Sequence, residues 1–299
     1  MDFYTKIKNE LVNNEIYKRV KDYSKNRSDL ETYYNVGKLL VEAQGGEKRA
    51  KYGDGLIKEY SKRLTNELGK GYTTTNLKYM RQFYLFCKKG QPAVDQLTWT
   101  HYTILLPLKN IDKINYYINQ IIKYNLSKRE LITKIKSSEY ERLDDNTKNK
   151  LISNTEIEVS DFIKNPIIIR NNSKEIITEK ILKQYILEDL DNLLKELGDG
   201  FSYIQNEYKI KVGSSYNYID LLLFNYIYNC FVVVELKVVE LKSEHIGQIQ
   251  KYMNYINKNV KGIEQNNTIG IIICKKDNMY VIEYCSDERV FRTTYEMYV

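Results

Sequence analysis

The 299-residue sequence predicts a two-domain α+β chain, a basic all-helical first half followed by an α/β second half on a mixed sheet. Three observations lead there. The length suits two domains at the usual ~150 residues each. Charge divides unevenly: residues 1–150 hold 29 Lys and Arg against 18 Asp and Glu, a net of +11, and residues 151–299 net −4. Apolar spacing is helical in the first half and shifts to strand-length runs in the second.

Taken in order, Leu39, Leu40 and Ala43 continue a helix into the Gly45-Gly46 break. Leu56, Tyr60 and Leu64 recur at helical spacing in a segment that stops near Gly69. Thr73-Thr74-Thr75 offers N-caps for a helix carrying Leu77, Met80 and Phe83. Further helices are expected over 100–108, 110–124 and 128–138, the last opened by Ser127 with Glu130 three residues on, a capping-box pattern. The first domain is set at 1–145. A polar, aperiodic stretch over 146–160 reads as a linker, and 161–299 as the second domain. There, 174–197 reads as one amphipathic helix ended by Gly198. Strands are expected at 201–211, 216–225, 230–238, 268–274 and 279–284, with a helix over 243–258 between the third and fourth.

Composition narrows the function classes. A mean hydropathy of −0.53 and no apolar run near ~18 residues argue against a transmembrane helix. The charged opening, MDFYTKIKNELVNNEIYKRV, does not read as a secretory signal, so a cytoplasmic location is expected. Four dispersed cysteines (Cys87, Cys230, Cys274 and Cys285) and two histidines disfavour a zinc site and a disulfide scaffold. There is no GxxxxGK[ST] phosphate loop, and His101 and His245 complete no Ser-His-Asp or Cys-His-Asn set. Trp99 and His101 are expected to pack between the domains.

The chemistry-bearing residues lie on the second-domain strands. Side chains alternate along a strand, so Asp220 shares a face with Tyr218 and Leu222, and Glu235 and Lys237 share one with Val233. Val232, Val234 and Leu236 fill the other face of that strand, the mark of a central buried one. A carboxylate and an ammonium at the end of such a strand are costly unless paired or bound to a cation. One outcome is a partly buried Glu–Lys pair. The other is an acid on one strand meeting acid-x-lysine on its neighbour. Two hard carboxylates and a strand carbonyl suit Mg²⁺ or Mn²⁺, and the lysine suits a water and the charge that builds on a phosphate.

The spacing Asp220, Glu235, Lys237 within an αβββαβ order resembles the PD-(D/E)XK nuclease superfamily. GDGFSYIQNEYKI, YIDLLLFN, CFVVVELK and HIGQIQKYMNYIN resemble, in order, the blocks of the YhcG-like (DUF1016) family. The stretch from YYNVGKLL to MRQFY, then LTWTHYTILL, resembles that family's helical, winged-helix-like N-terminal domain. The resemblance implies a restriction-endonuclease-like second domain. It also implies Asp220 and Glu235 as metal ligands, Lys237 as the catalytic lysine, and Gln248 and Tyr252 reaching the site from the following helix. Those two could equally form a solvated polar face, since Ile246, Ile249, Met253 and Ile256 make that helix's apolar stripe. A first-helix glutamate is often used as well, and Glu179 and Glu188 remain alternatives. The chain departs from the family at Asn206-Glu207, where Arg-Gln is usual; the extra carboxylate could join the metal site or repel phosphate.

In the first half, residues 61–90 carry seven basic residues and one acid. Lys62, Arg63, Lys70, Lys78, Arg81, Lys88 and Lys89 are candidates for sequence-independent phosphate contacts. The Gly69-Lys70-Gly71-Tyr72 turn has the form of a helix-turn-helix connection. The combined expectation is a Mg²⁺-dependent endonuclease acting on nucleic acid, DNA favoured, with the basic domain positioning the substrate. A homodimer is possible. The alternative is a catalytically silent nucleic-acid-binding or interaction module that works with a protein partner in a defence or mobile-element system.

Overall fold

The computed structural model describes residues 2–20, 25–46, 54–90, 96–153, 155, 158, 161, 163–170, 177–284 and 287–298, with backbone alone for 15–20 and 25–28. Cys285 lies outside these residues, as do parts of the 146–160 stretch. The chain divides into two compact units, Met1–Lys136 and Ser137–Val299.

The first unit is helical throughout its described residues: α1 (Phe3–Val20), α2 (Lys25–Ala43), α3 (Asp54–Leu68), α4 (Thr74–Lys88), α5 (Trp99–Leu105) running into a 3-10 turn at Leu106–Leu108, α6 (Ile111–Tyr124) and α7 (Lys128–Lys136). The expected caps form. Thr73 accepts from Asn76 N–H at 3.2 Å, and Ser127 and Glu130 cap each other's backbone N–H groups. Ile7, Leu40, Ile57, Leu64, Leu77 and Met80 make one apolar core, removing the inward stripes of α1 to α4 from water. Gly37 lets α2 cross α4, because a Cβ there would lie 2.1 Å from the Met80 carbonyl oxygen. Trp99 has partners inside the first unit. Its indole donates to Asn76 Oδ1 at 3.1 Å and its ring lies 4.5 Å from Tyr33, both within the first unit. His101 accepts the Thr98 N–H at 3.2 Å, so it serves as a helix cap.

The second unit contains α8 (Asp145–Ser153), β1 (Ile167–Arg170), α9 (Glu179–Glu188), α10 (Leu190–Leu197), β2 (Phe201–Val212), β3 (Ser215–Asn225), β4 (Cys230–Glu240), α11 (Ser243–Asn259), β5 (Asn266–Lys276), α12 (Met279–Tyr284) and β6 (Val290–Tyr298). The strands form one sheet in the order β1-β6-β5-β4-β3-β2. β2, β3 and β4 are antiparallel; β4, β5, β6 and β1 are parallel, with α11 as the crossover between β4 and β5. Leu182, Ile186, Leu193 and Leu197 of α9 and α10 pack on Val232, Val234 and Leu236. Ile249, Met253 and Ile256 of α11 pack on the opposite face with Val233 and Ile272.

Four sequence expectations change. The helix expected over 174–197 is two helices, broken at Asp189, which leaves the α-helical region (φ −130°) and accepts from Asn192 N–H. The strand expected at 279–284 is the short helix α12; Asn278 accepts from the N–H groups of Tyr280 and Val281, and none of the helix's side chains is buried. β1 and β6 were unexpected: β1 is only four residues, and β6 buries just Thr293 and Tyr295, too little alternation to read. The stretch read as a linker carries α8, whose Thr147 and Lys150 hold Asp161 at 3.2 and 2.8 Å.

A buried ionic clasp holds the lead-in segment to α10. Arg142 grips both oxygens of Glu196 and donates to the Pro166 carbonyl at 2.8 Å, while Glu196 also accepts from Ile168 N–H at 2.9 Å. The clasp aligns β1 for its parallel pairing with β6. Arg142→Met leaves an acid that is only 8% exposed without its cation. It should lower urea-measured stability of the second unit by about 3–5 kcal/mol, with Arg142→Met/Glu196→Gln recovering much of the loss. Equal stability of the single and double variants would remove the clasp from the account.

Candidate active site

β4 is enclosed on every side, by β3 and β5 at its edges and by helices on both faces. Its ladder with β3 stops at Leu221↔Val234. One residue further the strands part, and carboxylates take over from backbone carbonyls. Leu236 N–H donates to Asp220 Oδ2 at 2.9 Å, and Asp220 N–H makes a longer contact, 3.5 Å, to Glu235 Oε1. The two acids are thereby held side by side, each fixed by the other's strand.

Cationic and amide groups surround them. Lys237 Nζ donates to Glu235 Oε2 at 3.2 Å. Gln248 Nε2 donates to the same oxygen at 3.0 Å and lies 3.1 Å from the Tyr252 hydroxyl. Gln248 and Tyr252 thus face the carboxylates rather than forming a solvated stripe, and Tyr252 is also part of the α11 core. From the other side, Lys183 Nζ of α9 lies 2.7 Å from Asp220 Oδ1 and 3.3 Å from Glu207 Oε1. Glu207 stands in the left-handed region (φ +48°), next to the β2 bulge at Tyr203–Gln205. Its carboxylate therefore pairs with Lys183. Of the two first-helix acids, Glu179 lies near enough for its charge to act on Lys237, whereas Glu188 accepts from Gln184 at 2.9 Å.

The electrostatics follow from burial. Glu235 is 1% exposed, and desolvation, reinforced by the Asp220 charge, pushes its carboxyl up to about 7 against the pull of Lys237. For Lys237, burial is the largest influence and favours the neutral amine, but Glu235, Glu179 and Asp220 together outweigh it and hold the pKa above the ordinary lysine value. Lys183 follows the same pattern, with Asp220 and Glu207 outweighing its desolvation. His245, whose Nδ1 accepts the Lys242 N–H at 3.1 Å, is shifted down by burial and then by Lys237, which favours its neutral form.

Among the described residues no three His, Cys, Asp or Glu side chains gather closely enough to enclose a metal. The donor set fits Mg²⁺ all the same. That ion takes one or two carboxylates and completes its shell with water and substrate phosphate, and every donor here is a hard oxygen. The thiolate and imidazole ligands that zinc favours are not what Asp220 and Glu235 present.

The first-half basic residues are not equivalent. Lys62, Arg63, Lys70, Lys88 and Lys89 are exposed, and Lys78 and Arg81 are half-buried. Arg63 stacks 3.5 Å from the Tyr4 ring centroid and pairs with Glu59 at 3.6 Å, and Arg81 donates to Gln44 at 2.6 Å. Those two arginines have structural partners. Sequence reasoning missed Lys183; its place four residues after Glu179 on one helix face was the available signal.

Burial and the Asp220 charge favour protonated Glu235, so the folded chain binds more protons than the unfolded one between pH about 4.5 and about 7. Stability must then fall as pH rises through that window, by roughly 1–3 kcal/mol, and Glu235→Gln should flatten this slope. Urea melts at half-unit pH intervals check it; a wild-type slope that survives in Glu235→Gln would locate the proton elsewhere.

Residues 160–299 match the family described as YhcG PDDEXK nuclease domain, and residues 10–142 match the DUF1016 N-terminal domain. The chain is 28% identical over 283 residues to the Escherichia coli (strain K12) protein called "Putative nuclease YhcG", across 81% of this chain and 76% of that one. Two solved structures also align: a repair endonuclease from Pyrococcus abyssi (17% identity, TM-score 0.29, 41% of this chain) and the EndoMS-dsDNA2 complex (14% identity, TM-score 0.29, 43% of this chain), each over 48% of its own length. Helices on both faces of a six-stranded mixed sheet, after an all-helical unit, agree with the two family matches in order and extent. The chain belongs to the YhcG-like (DUF1016) family, and residues 160–299 are its PDDEXK nuclease domain.

Proposed function

We propose that this chain is a Mg²⁺-dependent endonuclease that hydrolyses phosphodiester bonds of DNA, Mn²⁺ substituting, with the basic helical unit gripping the substrate backbone. The observation that carries the reading is the pair of carboxylates, Asp220 and Glu235, pinned where β3 and β4 part, with Lys237 and Gln248 on the same oxygen of Glu235. Asp220 and Glu235 would hold the ion; when bound it supplies Lewis-acid polarisation of a phosphoryl oxygen and a more acidic water. Lys237 stays protonated next to three acids, so it acts as a donor to charge developing on the phosphate and not as a base. Gln248 orients Glu235, and Tyr252 orients Gln248. DNA is favoured because it lacks the internal 2′-hydroxyl nucleophile of RNA and so depends on a site that serves an external water.

One observation favours a second reading, a catalytically silent module: Lys183 bridges Asp220 and Glu207, a cation already beside the candidate ligand. The two readings diverge in a single set of assays. For an active site, millimolar Mg²⁺ raises the melting temperature. Asp220→Asn loses both that rise and cleavage, and Lys237→Ala keeps the rise but cuts ~10²-fold more slowly. In a silent site Mg²⁺ gives no shift, and Lys183→Gln is needed to create one. Activity of Asp220→Asn equal to wild type would sink the catalytic reading. The substrate panel is duplex, single-stranded and branched DNA beside RNA, with EDTA as control.

The helical unit gives an independent test. With a net of +11 over residues 1–150, DNA binding by the full chain should weaken steeply with salt. Glu substitutions at exposed Lys62, Lys70 and Lys89 should weaken binding at nearly unchanged stability, whereas Arg81→Glu should lower stability by losing the Gln44 contact. A flat salt response would count against a nucleic-acid role for this unit.

A further inference from the structure

The β2–β3 hairpin pairs from Tyr208↔Ile219 to Val212↔Ser215 and turns at Gly213, with α11 covering one of its faces. Its two faces differ sharply. On one, Ile210 and Ile219 are buried against α11. On the other, cross-strand register sets Lys211 opposite Tyr216 and Lys209 opposite Tyr218, all four exposed. Tyr216 is 57% and Tyr218 53% exposed. Lys209 Nζ lies 4.0 Å and Lys211 Nζ 5.9 Å from the Tyr216 ring centroid, so cations brace a ring that is still more than half exposed. Along β3 these tyrosines precede Asp220 by four and two residues, about 14 and 7 Å up the strand. The nearby acid, Glu207, is engaged by Lys183. The other strongly exposed tyrosines, Tyr226, Tyr280, Tyr284 and Tyr298, belong to other elements.

We propose that this hairpin face binds a single-stranded stretch of the DNA substrate leading to Asp220, with unpaired bases stacked on Tyr216 and Tyr218 and phosphates neutralised by Lys209 and Lys211. The inference rests on the nuclease reading for the placement of the scissile bond, but the binding it describes does not. Two exposed rings on one strand face, with lysines opposite both, offer a stacking surface beside cations. Their lysine neighbours select a polyanion over an apolar protein surface. A duplex offers phosphates to the lysines but hides its base faces in the stack, leaving the rings nothing to cover. An unpaired strand supplies both partners at once. The preferred substrate is therefore one with a single-stranded arm: a flap, an overhang or an open loop.

The test measures anisotropy of a labelled 20-mer oligothymidine and of a 20-base-pair blunt duplex with the full-length protein, in EDTA so that nothing is cut. Tyr216→Ala and Tyr218→Ala should each weaken single-strand binding roughly 5- to 100-fold and leave duplex binding within about twofold. The Phe variants should bind as wild type, because stacking needs the ring and not the hydroxyl; they also control for folding. Lys209→Gln and Lys211→Gln should each reduce the salt slope by about 0.7. Equal losses on both substrates, or no loss with either tyrosine, would overturn the proposal. A chain that binds single strands through these tyrosines but never cuts with Mg²⁺ would leave this inference standing and remove the catalytic reading. Cutting that ignores the tyrosines would do the reverse.

Discussion

The β3–β4 ladder runs out at Leu221↔Val234, and the second unit's chemistry depends on what replaces it. Buried backbone N–H groups must find acceptors. At this parting of strands the Leu236 N–H finds Asp220, and the Asp220 N–H reaches toward Glu235. Two acids are thus fixed beside each other by the same need that would otherwise have been met by carbonyls. The remaining polar contacts follow from that placement. Glu235, barely exposed and facing a second carboxylate, draws Lys237 and Gln248; Asp220 draws Lys183, and Lys183 draws Glu207.

This arrangement is held from outside by ordinary packing. β4 can carry a glutamate and a lysine in a buried strand because its other residues, Val232, Val233, Val234 and Leu236, are apolar on both faces and bury fully. α11 contributes both sides of the balance: Ile249, Met253 and Ile256 seal the sheet, while Gln248 and Tyr252, on the adjoining part of the helix, meet the carboxylates. At the far edge, the Arg142–Glu196 clasp brings β1 into register with β6 and completes the parallel half of the sheet.

Hairpin and site share one strand. β3 packs Leu221 and Leu223 toward α9 and α10, yet Ile219, of the same parity, packs with the α11 core. The strand therefore turns over near Asp220, which separates a segment enclosed on both faces from a two-stranded arm covered by α11 on one face only. An exposed aromatic and basic face next to the Asp220–Glu235 pair is a consequence of that turn.

The sequence by itself determined the elements with strong periodicity and their order: the helices of the basic half with their Thr73 and Ser127 caps, the apolar strand 230–238, the helix over 243–258, and Asp220, Glu235 and Lys237 on neighbouring strands. These depend on contacts close in sequence or on burial of whole faces, which alternation and helical spacing record directly. Tertiary structure alone decided the rest. Met279–Tyr284 reads as a strand but has no sheet position to fill, and Asn278 caps it as a helix. Ile167–Arg170 and Val290–Tyr298 are strands because each supplies the other's hydrogen bonds. Lys183 was brought to Asp220, and Glu207 turned toward Lys183, by side chains meeting across tens of residues. Helical spacing places Lys183 on the face of Glu179, but which acids it meets is selected by compensation of charge, which acts only once the sheet and its helices have excluded water.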